Sequence, residues 1–213
     1  MSIEVLENIE EVKMSFSAKF NLAAEWFDAR LTWNDLSDDE FLNIPNKDLI
    51  GKLWVPEIIF ENTENKVETP IDRKARFVVK RKGNYTLSSE NEMEEIAYYK
   101  GSENSLQYSR DFYLRFKCQF ELQYYPFDTQ TCTILLKRPS RERKFLKYMA
   151  KHLDYSGPLG LAEFVITKFN MFAESENPDY DIQVRIRMTR RILKHVLSTY
   201  LPSLCILIVA QVK

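Results

Sequence analysis

The sequence predicts an all-β fold, an antiparallel β-sandwich, on three observations. Apolar and polar residues alternate with period two over three long stretches. Helical signals are confined to one short segment and the C-terminal tail. A single close pair of cysteines, Cys118 and Cys132, suits a small stapled sandwich. With 213 residues and 45% apolar content, the chain is long enough for one domain with a real core.

Taken in order, Met14, Phe16, Ala18, Phe20, Leu22, Ala24 and Trp26 form one face of a long strand. Lys13, Ser15, Ser17, Lys19, Asn21 and Glu25 form the other, with Ala23 as the exception. Residues 37–42 read as a short helix, with Ser37 as N-cap and Glu40 completing a capping box. Shorter strands are expected at 76–80, 96–99, 133–136 and 164–169, with turns at Lys82-Gly83-Asn84 and Lys100-Gly101-Ser102. Phe112, Leu114, Phe116, Cys118, Phe120 and Leu122 predict a second long strand. Ile182, Val184, Ile186 and Met188 against Gln183, Arg185, Arg187 and Thr189 predict a third.

Composition excludes several function classes. A net charge of −1 supplies no global field toward nucleic acid or anionic lipid. None of the five glycines builds a phosphate-cradling GxGxxG or P-loop. His152 and His195 are far apart in sequence and have no Cys, Asp or Glu in ligand spacing, so neither a metal site nor a catalytic constellation is expected, and no cofactor. The basic run Lys137, Arg138, Arg141, Arg143, Lys144, Lys147, Lys151, with Glu142 its one acid, reads as a solvated loop and strand edge rather than a nucleic-acid patch. The cluster Glu90, Glu92, Glu94, Glu95 fits no EF-hand spacing and reads as surface charge. Asn84-Tyr85-Thr86 is a glycosylation sequon beside a turn.

Thirteen residues separate Cys118 from Cys132, and Tyr125-Pro126-Phe127-Asp128 between them suits a tight turn, with or without a cis proline, that lets the ends meet. A disulfide there closes a loop worth about 3 kcal/mol and calls for an oxidising compartment. Two unrelated buried thiols satisfy the same spacing. The acidic N-terminus has no h-region, so the disulfide reading expects a trimmed chain. Residues 196–212 are mostly apolar and uncharged, interrupted by Ser198, Thr199 and Pro202, and end at Lys213. They read as the first part of a membrane-spanning helix, or else as an apolar terminal strand of the core.

The segment from Cys118 to Cys132, with Tyr125-Pro126-Phe127-Asp128-Thr129-Gln130-Thr131-Cys132 at its end, resembles the signature loop of the Cys-loop receptors, the pentameric ligand-gated ion channels. Three further landmarks follow that family's order. Trp26-Phe27-Asp28-Ala29-Arg30-Leu31 is similar to its Trp-x-Asp-x-Arg-Leu. Trp54-Val55-Pro56-Glu57 with Asn62 is similar to Trp-x-Pro-Asp followed by Asn, with Glu57 in place of Asp. Arg190, twelve residues before Pro202 in Tyr200-Leu201-Pro202-Ser203, is similar to the basic residue before the first membrane helix. Tyr-Leu-Pro-Ser resembles the anion-selective branch, which responds to glycine, GABA or glutamate.

The resemblance implies a Cys118–Cys132 disulfide, an extracellular ligand-binding sandwich over residues 1–194, and the start of the first transmembrane helix over 195–213. On this resemblance, the residues given are expected to begin after the family's N-terminal helix and within its first strand. The implied partners are homologous subunits in a homo- or hetero-pentamer, a small-molecule agonist and the plasma membrane, with the sandwich on its extracellular side. The agonist is expected between subunits. Its principal face would hold Phe60, Glu61 and Asn62, then Pro139 and Ser140, then a short loop between Phe172 and Tyr180 without a vicinal cysteine pair. Its complementary face would hold Lys19, Asn21 and Ala23 with Gln107, Ser109 and Asp111. Glu61 and Pro139 stand where aromatic residues would cage a cationic amine, which argues against acetylcholine-like recognition. Coupling to the pore is assigned to Glu10, Glu11 and Lys13, to Tyr125, Pro126, Phe127 and Asp128, and to Arg190. A soluble binding protein of the same fold, a non-binding subunit, a secreted β-sandwich enzyme and an adhesion module are the rival readings.

Overall fold

The computed structural model describes residues 1–64, 75–91, 94–173 and 179–211. The chain is a mainly antiparallel all-β sandwich with a helical C-terminus. Its described strands are β1 (Ser2–Glu10), β2 (Ser15–Trp26), β3 (Thr32–Asn34), β4 (Ile59–Phe60), β5 (Arg76–Lys80), β6 (Tyr85–Asn91), β7 (Glu94–Lys100), β8 (Ser105–Lys117), β9 (Thr129–Lys137), β10 (Asp154–Tyr155), β11 (Phe164–Ala173) and β12 (Ile182–Arg190). They form sheets of order β10-β1-β2-β8-β5, β11-β12-β9-β4 and β3-β7-β6. The β1–β10 contact is parallel, pairing Ser2 with Asp154 and Ile3 with Tyr155, and departs from the antiparallel expectation.

The chain divides into two compact units. One comprises Met1, residues 21–57 and residues 69–112. Its core gathers Trp26, Trp33, Leu36, Phe77, Tyr99, Leu106 and Tyr108. Trp26 meets Trp54 edge to face at 6.3 Å, so two of the sequence landmarks share one core. Asp28 and Arg30 form a two-pronged pair, Nε to Oδ1 2.8 Å and Nη2 to Oδ2 2.7 Å. The Arg30 hydrogen bond outweighs partial burial and holds the Asp28 carboxyl below its usual pKa. Gly101 packs against this turn: its N–H donates to the Leu31 carbonyl, and a Cβ there would lie 2.3 Å from the Asp28 oxygen. Only glycine permits that approach.

The other unit comprises residues 2–20, 58–68 and 113–213. Phe20 of β2 and Phe116 of β8 face Phe60 of β4, at 5.5 and 6.1 Å, and Phe16 of β2 stacks on Phe116 at 5.5 Å. This is the sandwich contact between the five-stranded and four-stranded sheets.

Several elements differ from expectation for local reasons. Met14 lies in the turn between β1 and β2, at φ 51°, rather than on the strand. Its carbonyl accepts the Cys118 N–H at 2.8 Å. The second long strand begins at Ser105 and stops at Lys117, short of the expected Leu122. Beyond it the Gln130 side-chain amide takes both backbone groups of Glu121, at 3.0 and 2.9 Å, and so replaces a strand partner. The 37–42 segment is a single 3₁₀ turn, Glu40–Leu42, capped by Asp39, whose carboxylate accepts the Phe41 N–H; the Ser37 hydroxyl accepts from Asp39 instead. The side chains of Glu90, Glu92, Glu94 and Glu95 fall outside the described residues.

After β12 the backbone turns helical: α1 (Lys47–Ile50) lies earlier in the chain, and α2 (Ile192–His195), a π-helical turn (Val196–Tyr200) and α3 (Leu201–Gln211) follow one another at the end. The π turn lies just before Pro202, whose missing N–H breaks the regular ladder. Among the described residues, no helix is long and apolar enough to cross a membrane.

Candidate functional site

Cys118 and Cys132 are bonded, with Cα atoms 5.2 Å apart. The bond closes the loop that leads into β9, and Tyr125-Pro126 in it is cis. The reading of two unrelated thiols is thereby excluded, and Cys205 is the free, exposed cysteine. Replacing both bonded cysteines by serine is expected to cost about 3 kcal/mol through the freed chain entropy of the unfolded state. Urea denaturation of oxidised and variant chains measures it.

The disulfide loop brings three separate segments together around one cation. Arg190 is the last residue of β12, and β12 pairs with β9 in a register that sets Thr189 opposite Thr129. That register carries the Arg190 guanidinium to Asp128: Nε to Oδ1 is 2.6 Å and Nη2 to Oδ2 is 2.9 Å. Nη1 pairs with Glu11, from the β1–β2 turn. Arg190 and Asp128 are each 3% exposed. Tyr125 and Phe164 present their ring faces to the guanidinium at 4.8 and 4.6 Å. The Gln130 amide donates to Asp128 as well. Every face of the cation is therefore engaged by a carboxylate or a ring.

Burial alone would raise the Asp128 carboxyl, but hydrogen bonds from Arg190 and Gln130 outweigh it and leave its pKa lowered. Burial likewise opposes the Arg190 charge, and its bonds to Asp128 and Glu11 overcome this and raise its pKa. A carboxyl lowered by folding adds stability above its unfolded pKa of about 4 and loses it as pH falls through the folded value. Denaturation midpoints are therefore expected to fall below about pH 4, with a smaller fall in Asp128→Asn.

Glu10 and Lys13, also assigned to coupling, pair with each other rather than with this cation. Glu10 turns to Lys13, 2.6 Å away, and to Arg115. The Lys13 hydrogen bond is the main reason its pKa is lowered. Phe127 is 70% exposed at the loop tip, beside cis Pro126. Tyr125 hydrogen-bonds His195 Nδ1 through its hydroxyl at 2.8 Å, linking the loop to α2. His152 pairs with Asp154 at 2.6 Å, so both histidines have partners that sequence spacing did not reveal.

The principal-face positions divide. The Phe60 ring is wholly buried in the core, because β4 pairs with β9 and sends alternate residues inward. Asn62 is spent on backbone: its amide donates to the carbonyls of Lys117 (3.1 Å) and Thr133 (2.7 Å) and accepts the Leu135 N–H (3.0 Å). Pro139 is buried. Glu61 stands 3.9 Å from Lys137. Ser140 is exposed, Phe172 stacks under Arg185 at 4.8 Å and Tyr180 is half-buried. Residues 174–178 of the third loop fall outside the described residues.

On the complementary side, Asn21, Ser109 and Asp111 meet. Asn21 donates to Asp111 at 2.7 Å and accepts from the Ser109 hydroxyl at 3.1 Å. Ala23 is exposed and Gln107 half-buried nearby on β2 and β8. Lys19 pairs with Glu4 at 2.7 Å. Asn84 is exposed just before β6.

Sequence reasoning missed one buried pair. Arg138, read as part of a solvated basic run, is buried against Asp181. Its Nε and backbone N–H donate to that carboxylate at 2.9 and 2.7 Å, and its Nη1 donates to the Leu146 carbonyl. Glu142 is buried as well. The run is thus anchored at its start, and a lone Asp directly before an apolar strand was the available signal.

A sequence profile described as the neurotransmitter-gated ion-channel ligand binding domain matches residues 1–192. The gamma-aminobutyric acid receptor subunit rho-3 of Rattus norvegicus is 23% identical over 100% of this chain and 43% of its own length. Subunit rho-2 of Homo sapiens is 23% identical over 95% of this chain and 41% of its own length. The beta-like subunit of Drosophila melanogaster is 23% identical over 100% of this chain and 42% of its own length. The chain thus spans less than half the length of these relatives, which are receptor subunits and not enzymes. It belongs to the family of neurotransmitter-gated ion-channel ligand-binding domains, the Cys-loop receptors.

Proposed function

We propose that this chain is the extracellular ligand-binding region of a pentameric, plasma-membrane channel subunit of the anion-selective branch. In this reading an agonist between homologous subunits is coupled through the disulfide loop to a chloride-selective pore, and residues 195–213 begin the first membrane helix. The single observation that carries it is the Glu11–Arg190–Asp128 cluster. It ties the β1–β2 turn and the disulfide loop to the last strand residue before the C-terminal helical segment, so a shift in any one biases the others. Gamma-aminobutyric acid, named in the relatives, sets the expected ligand class, small amino acids, and the exposed sequon at Asn84 is the expected glycan site.

The fates of Phe60, Asn62 and Pro139 favour a second reading, a subunit that assembles without supplying a principal face. A chimaera separates the two: residues 1–192 replace the matching region of a rho-2 subunit in oocytes. GABA-evoked chloride current supports the first reading. Surface assembly with current only when a binding subunit is co-expressed supports the second. Failure to assemble under either condition would falsify both.

A further inference from the structure

The exposed face of the four-stranded sheet carries a polar cluster outside all the positions above. Thr129 and Thr131 of β9, Arg185 and Arg187 of β12, and Lys168 and Asn170 of β11 line a shallow cavity of about 290 Å³. Strand register builds it: Arg187 lies between Thr131 and Lys168, and Asn170 lies opposite Arg185. Ile166 is buried, so uninterrupted alternation would turn Lys168 inward. A register shift between Ile166 and Lys168 resets the phase and exposes Lys168 beside Arg187, while the Thr167 hydroxyl donates to the Arg187 carbonyl at 3.1 Å.

That arrangement sets two cations directly across from one another, which costs stability on a sheet. No acidic residue lines the cavity, and neither Lys168 nor Arg187 has an ion-pair partner among the described residues. Arg185 is held in place by Gln183, at 2.7 Å, and by the Phe172 ring. The cavity therefore offers three cations, two hydroxyls and an amide, and calls for oxygen-rich negative charge. An exposed ion pair contributes only about 0–1 kcal/mol, too little to hold one small anion. Cations two residues apart along a strand stand roughly 7 Å apart, which suits a ligand with repeated charges. Nucleic acid would want stacking rings, and the neighbouring Phe172 is already covered by Arg185.

We propose that this face binds a sulfated polysaccharide, with sulfate esters against the Lys168–Arg187 pair and against Arg185. The proposal stands independently of the receptor reading. A heparin-derived hexasaccharide titrated into the 213-residue chain by calorimetry is expected to bind, and to weaken as salt rises. Lys168→Gln combined with Arg187→Gln is expected to weaken it at least about tenfold, by loss of two of the three cations. Lys144→Gln with Lys147→Gln, exposed positions of the other basic run, is expected to leave binding unchanged. Lys168→Gln alone is expected to melt no lower than the parent, since it relieves a like-charge pair. Absence of binding, equal loss in both double variants, an oligonucleotide of equal charge binding as tightly, or inorganic sulfate matching the hexasaccharide overturns the proposal.

Discussion

Arg190→Gln is expected to lower the stability of the chain by about 3–5 kcal/mol, the usual cost of removing one partner from a buried ion pair. The glutamine keeps some hydrogen bonding but leaves Asp128 and Glu11 without the cation that both face. Asp128 is almost fully enclosed, so water cannot replace the lost charge. For a domain of this size the loss corresponds to a fall in melting temperature of roughly 6–20 °C. The double variant Asp128→Asn with Arg190→Gln is expected to recover part of it, because a buried pair removed together costs less than a pair broken. Thermal unfolding followed by near-ultraviolet circular dichroism checks both. An unchanged melting temperature in Arg190→Gln would show that the cluster contributes nothing to the fold.

Arg138→Gln is the second large effect. Asp181 is 1% exposed and receives both the Arg138 side chain and its backbone N–H. The variant keeps the backbone bond but strands a buried carboxylate, and a loss of about 3–5 kcal/mol is again expected. Arg138 also binds the Leu146 carbonyl, so the damage should be local before it is global. Hydrogen exchange is the direct measurement: amides of Glu142 and Leu146, which close short loops onto Pro139 and Glu142, should lose protection first. Equal protection in the variant would refute the anchoring role.

Much of the fold was legible because burial imposes a period. Val184, Ile186 and Met188 are buried, and Arg185 and Arg187 are exposed, as their alternation predicts. The Arg76–Lys80 strand has the expected limits. Where a side chain took over the work of a backbone partner, the pattern misled. The apolar alternation runs on through Phe120, yet Gln130 ends the ladder by binding Glu121 on both sides. Short strands such as β3, β4 and β10 went unread, since two or three residues carry no period. Ser15 and Ser17, placed on the polar face, are buried, and nothing in the alternation marks them.

The candidate site was legible for a different reason. The residues that meet around Arg190 come from a fixed motif, and the motif names Asp128 and Arg190 without geometry. The long alternating strands, the cysteine pair and the family can be read from residue order. Which charges are enclosed follows from the folded arrangement. Arg138, just after β9, and Arg187, on the adjoining β12, are the same residue type, yet one is sealed against Asp181 and the other lies open beside Lys168. A side chain's charge is written in the sequence, but its partner is set by strand register and by what packs above it. Those are long-range contacts that no local pattern encodes.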